Sequence, residues 1–171
     1  MNMSTSTQVA PATDVEPGKP ISQAFKYVRQ EIPDGPMVGK DITRLARTDR
    51  MIANVQVMKE GGENNLHSHA HLDGFWMVLS GRARFYGEGD ALLADLGPKE
   101  GILVPRNFKY WFESTGTEVL ELLQVESFDI SIPDEPSIFK DRKDFTPKTD
   151  ATSRARIYEG RVNSPNFGRM R

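Results

Sequence analysis

Between residues 42 and 125 the sequence breaks into short runs rich in Val, Ile, Leu, Phe, Tyr and Trp. The runs are Ile42–Arg47, Met51–Met58, Asn65–His69, Phe75–Leu79, Arg82–Tyr86, Ala91–Ala94, Gly101–Val104, Tyr110–Glu113 and Val119–Val125. Turn-forming residues separate them, among them Gly61-Gly62, Ser80-Gly81, Gly97-Pro98 and Thr115-Gly116. Runs this short cannot carry an amphipathic helix of three turns, and β-branched and aromatic residues suit a pleated, half-buried surface. Many short strands at regular spacing predict an all-β fold, a small antiparallel sandwich or barrel.

Around this region the sequence changes character. Residues 1–20 are rich in Ser, Thr and Pro and read as a flexible N-terminal arm. Residues 21–128 form the predicted β domain. Residues 129–171, opened by Ile132-Pro133 and Glu135-Pro136, read as an irregular extension that packs on the barrel or on a partner. A chain of 171 residues is one domain's worth, with room for a core.

Composition removes several classes of function. A net charge of -2 gives no basic excess for a phosphate backbone, which argues against nucleic acid. With no cysteine there is no disulfide, no thiolate-held metal and no cysteine nucleophile. No stretch approaches the roughly 18 apolar residues of a membrane helix. The first residues lack the basic and apolar regions of a secretory signal, so a cytoplasmic protein is expected.

The three histidines of the chain, His67, His69 and His71, fall within five residues. In a strand, alternate side chains share a face about 6.5–7 Å apart. His67 and His69 can therefore converge on one ion with bonds near 2 Å. His71 would lie about 13 Å from His67 in a straight strand and reaches the same ion only if the chain bends after His69. Asp73 and Tyr110 are the other candidates for a third donor. On the neighbouring strands, Asn54, Gln56, Phe75 and Phe112 are candidate pocket residues. Tyr110 and Glu126 are candidate catalytic groups, Glu126 as a general base raised by desolvation.

Gly61, His67, His69 and Gly81, in GGENNLHSHAHLDGFWMVLSG, resemble the first motif of the cupin superfamily. In that motif a glycine, a His-x-His, a glutamate and a second glycine follow one another at set spacing. The position of the metal-binding glutamate is held here by Gly74, with Asp73 beside it. The second cupin motif maps onto Val104 to Ser114. Pro105 fits, but Asn107, Tyr110 and Ser114 stand where that motif has glycine, histidine and asparagine. The resemblance covers roughly residues 50–126 and carries over a metal role to His67 and His69 only.

The resemblance implies a cupin or jelly-roll β-barrel with a pocket in one mouth, and a homodimer. It implies a divalent transition metal (Fe, Mn, Zn, Cu or Ni) and an enzyme of the dioxygenase, decarboxylase, isomerase or lyase class. The substrate would be a small aromatic or hydrophobic molecule. The alternative is a noncatalytic, small-molecule-binding cupin whose metal site has eroded.

Overall fold

The computed structural model describes residues 22, 24–29, 40–59, 64–132, 138–140 and 156–159. The expected N-terminal arm, residues 1–20, and most of the C-terminal extension lie outside them. Eleven strands carry the described fold: β1 (Lys40–Arg47), β2 (Met51–Met58), β3 (Leu66–Ser68), β4 (Leu72–Ser80), β5 (Ala83–Tyr86), β6 (Leu92–Leu96), β7 (Gly101–Val104), β8 (Trp111–Ser114), β9 (Leu120–Phe128), β10 (Ile138–Lys140) and β11 (Arg156–Glu159). One 3-10 turn, Glu88–Asp90, links β5 to β6.

Six strands form one sheet in the order β11-β1-β2-β9-β4-β7. A second layer consists of β6-β5-β8 and β10-β3. A single bridge between His67 and Tyr110 joins its two parts. The ladders do not close into one continuous barrel, and the architecture is a jelly roll. Pairing is antiparallel except between β1 and β11, which run parallel. Two strands from beyond residue 129 thus join both layers, β10 on β3 and β11 on β1.

Alternation explains which side chains meet inside. Along β4, Leu72, Gly74, Trp76 and Val78 are buried, whereas Asp73, Phe75 and Leu79 are exposed. Phe128, Glu126, Gln124 and Leu122 on β9 lie across from them. Trp76, Val78, Phe85, Phe112, Met58, Leu120 and Leu122 form the core between the layers. Burial of each such large side chain contributes roughly 1.5–3 kcal/mol.

Strand β2 is buried on both faces. Its Asn54, Gln56 and Met58 face point inward. Its Ala53, Val55 and Val57 pack outside with Leu45 and Tyr27. The segment containing Tyr27 is tied down by an ion pair between Arg29 and Glu121 at 2.9 Å. A central strand covered on both sides reads as a continuous apolar run, as MIANVQVM nearly does.

Candidate functional site

Strand β3 ends at Ser68, and the chain turns before β4 begins at Leu72. Here His67 and Tyr110 exchange both main-chain hydrogen bonds, His67 N–H to Tyr110 O at 3.1 Å and Tyr110 N–H to His67 O at 2.9 Å. The pairing sets the two rings together, with centroids 4.6 Å apart. The turn brings His69 alongside, its centroid 4.9 Å from that of His67 and its plane nearly perpendicular.

His67 is held in one tautomer. Its Nδ1–H donates to the Asn65 carbonyl at 2.7 Å, so Nε2 carries the lone pair. Burial lowers its pKa to about 4, and His69 and Lys40 push in the same direction against the Asn65 hydrogen bond. The ring is therefore neutral at pH 7, the form in which imidazole ligates a metal. Burial holds the Tyr110 phenol well above its ordinary pKa, with the Glu126 charge as a second cause.

Two expected donors do not join this pair. The chain does bend after His69, yet the His71 ring swings onto Phe128, stacking with centroids 5.9 Å apart, and lies 6.4 Å from the His69 ring. Asp73 faces outward, where its carboxylate accepts the Arg106 main-chain N–H at 2.9 Å. The reason is the pleat: Gly74 points inward, so its neighbour must point away. Among the described residues no group of three His, Cys, Asp or Glu side chains comes together in a metal-holding arrangement. His67 and His69 thus fit two ligands of an ion.

The pocket residues divide in the same way. Asn54 and Gln56 are buried on the inward face of β2, and Phe112 lies wholly within the core. Phe75, expected to line the pocket, is instead 43% exposed on the outer face, because its neighbours Gly74 and Trp76 face inward. Arg82 and Arg84, the arginines that follow Gly81, also lie outside and share Asp95 at 2.6 and 3.0 Å.

Inside the jelly roll a relay of polar side chains runs across the sheet. Gln56 Nε2 donates to Gln124 Oε1 at 2.5 Å, and Gln124 Nε2 donates to Glu126 Oε1 at 2.5 Å. The carboxylate at the end can only accept while ionised, which fixes the direction of both amides. Burial raises the pKa of Glu126, while Gln124 and the charge of Lys40 lower it. Lys40 is 9% exposed, with its Nζ 5.9 Å from the centre of the Phe112 ring. Burial lowers its pKa to about 8 against the pull of Glu126. Among the described residues it makes no ion pair.

Sequence reasoning missed Lys40. A lysine that begins a strand ordinarily reads as a solvated end. Only the register, Lys40 opposite the fully buried Met58, shows that it faces inward.

The mouth opens beside His69 and Tyr110. The cleft there is shallow, walled by His69, Leu72, Gly74, Val104, Pro105, Phe108 and Tyr110, and encloses no space for a water molecule.

Two facing β layers with paired histidines at one mouth define a double-stranded β-helix of the cupin type. Over residues 54–126 the chain matches the cupin domain family. No curated protein sequence matches it. Among solved structures, the fold resembles an uncharacterized conserved protein with a double-stranded β-helix domain from Klebsiella pneumoniae. That match has 17% identity and a TM-score of 0.54, covering 68% of this chain and 87% of the other. It also resembles KdgF from a Halomonas species, at 16% identity and a TM-score of 0.51, covering 65% of this chain and 98% of the other. These likenesses establish the fold. Among the described residues no helix is long and apolar enough to cross a membrane.

Proposed function

We propose that the protein is a small-molecule enzyme whose mouth binds a divalent transition metal through His67 and His69. The observation that carries this reading is the neutral His67 ring, its Nδ1–H fixed by the Asn65 carbonyl and its centroid 4.9 Å from that of the His69 ring. The buried His67 is a poor cation, since burial and the neighbouring His69 disfavour its protonation. A neutral imidazole is suited to hold an external cation together with a neighbouring ring.

When bound, the ion would polarise an oxygen of the substrate as a Lewis acid. The rest of the work falls to the chain. Tyr110, kept protonated, donates a hydrogen bond from its hydroxyl to that oxygen. Glu126, poised by burial and restrained by Gln124, accepts a proton from a substrate that reaches the interior. Leu72, Val104, Pro105 and Phe108 give the mouth apolar walls that displace water from a small hydrophobic body.

The test is uptake of metal by the full chain after stripping with a chelator, measured by elemental analysis after reconstitution with Fe, Mn, Zn, Cu or Ni. Binding near one ion per chain is expected, and loss of it in the His67→Ala/His69→Ala double variant. Tyr110→Phe is expected to keep its metal, since it loses a proton donor and not a ligand. A wild-type chain that takes up none of the five metals would overturn the reading. Thermal stabilisation of that metal-free chain by small organic molecules would then mark a binding protein.

A further inference from the structure

We propose that the open side of the jelly roll, formed by β6 and β7, pairs with a second copy of this chain across a two-fold axis centred on Leu103. This goes beyond the metal reading and does not depend on it.

The fold treats its two open sides differently. On one side the chain supplies its own cover, β11 along β1 in the first layer and β10 along β3 in the second. On the other side the layers end in β7 and β6, joined by residues 97–100, and no described strand pairs with the outer side of either. An uncovered strand edge is a template for another strand, and edges that stay single are blunted by charge, proline or a bulge. Strand β7 reads Gly101-Ile102-Leu103-Val104 and carries none of these within it.

The outer face of the large sheet runs out at the same edge. The ladders set Ala46, Ala53, Val125, Phe75 and Leu103 in one apolar row across five strands. The row is covered at β2, where Ala53 is buried, and open at β7, where Leu103 is 65% exposed. No large apolar side chain among the described residues is more exposed than Leu103.

Self-complementarity identifies the occupant. A two-fold axis normal to the sheet makes two copies of β7 antiparallel. Val78 N–H donates to the Glu100 carbonyl at 2.9 Å, so by alternation the main-chain groups of Gly101 and Leu103 point away from β4. Centred on Leu103, the two strands would exchange both main-chain bonds of that residue and bring its side chain against its mate. The same register places Glu100 of each copy opposite Arg106 of the other. Arg106 meets Asp129 of its own chain at 2.6 Å, with its side chain still partly exposed to take a second carboxylate. Pro105, without an N–H, ends the ladder. A foreign strand would have to reproduce this order of charges, whereas a second copy carries it by symmetry. Since β7 leads into Val104 and Pro105, which wall the mouth, paired copies would place their mouths beside the shared edge.

The chain has no cysteine, so Leu103→Cys installs a single thiol. In the proposed pairing its Cα lies about 5.5 Å from its mate, within disulfide range. Mild oxidation of the full chain is expected to give a covalent dimer, while Ile130→Cys, exposed elsewhere, stays unlinked. Sedimentation equilibrium of the wild type should show a reversible dimer. Leu103→Lys should raise its dissociation constant at least about tenfold. Glu100→Arg and Arg106→Glu should each weaken association about tenfold by setting like charges together. An equimolar mixture of these two variants should restore it, because both pairs in the mixed dimer are again opposite in sign. Circular dichroism confirms folding of each variant. A wild type that stays monomeric at millimolar concentration overturns the proposal. So does a dimer that tolerates Leu103→Lys and leaves the Leu103→Cys thiol unlinked, since the copies then meet on another face.

Discussion

Lys40→Met is expected to stabilise the protein by about 3 kcal/mol at pH 7. A lysine whose pKa falls from 10.5 to about 8 on folding is penalised when charged by roughly two and a half units of 1.36 kcal/mol. The shift already contains the attraction to Glu126, so removing the lysine removes the net penalty. Methionine keeps the unbranched stem and packs against Phe112. The sign of the pH dependence follows from the lowered pKa. Between pH 8 and 10.5 the unfolded chain binds more protons than the folded one, so wild-type stability rises with pH through that window. The advantage of the variant should shrink across it and disappear above pH 10.5. Urea unfolding midpoints at pH 7, 9 and 10.5 would read this, and a variant less stable than wild type at pH 7 would contradict it.

Gly81→Ala should act in the opposite direction, lowering stability by about 3 kcal/mol. Gly81 has φ +76, in the left-handed region that disfavours a Cβ by roughly 1–2 kcal/mol. Its Cβ would also fall 2.7 Å from the Val119 carbonyl oxygen and 2.9 Å from Leu120 Cα. Those atoms are backbone at the start of β9, which cannot swing aside like the end of a long side chain, and overpacking of this kind adds about 1–3 kcal/mol. Thermal and urea unfolding of the variant would show the loss. A midpoint equal to wild type would mean that the turn after β4 is far more pliant than its close contacts imply.

The strands were legible in the sequence because their alternation is local. In Phe75-Trp76-Met77-Val78-Leu79 each residue states its own face once one neighbour is known, and Gly81 marks the turn. His67 and His69 were legible as a His-x-His pair, although the strand ends at Ser68 and the turn after it sets the second ring beside the first. What decided the site was nonlocal. The pairing of Gly74 with Glu126 and of Lys40 with Met58 joins residues that no short-range pattern connects. The fate of His71 turned on Phe128, a ring from the far end of β9 that gives the imidazole an apolar partner away from the other two. Phe75 was misplaced by reading aromatic content without its phase. Strand β10 was hidden because three paired residues carry too little periodicity to stand out from a polar segment.

The double main-chain bond between His67 and Tyr110 fixes the site through peptide groups, which persist when side chains are exchanged. Amide deuterium exchange should therefore slow at both positions together, and the paired protection should survive His67→Ala and Tyr110→Phe alike. Substitution at the mouth would then report on chemistry rather than on a displaced strand. Coincident loss of protection at the two amides would signal that β3 and β8 had come apart, separating an opened scaffold from a disarmed one.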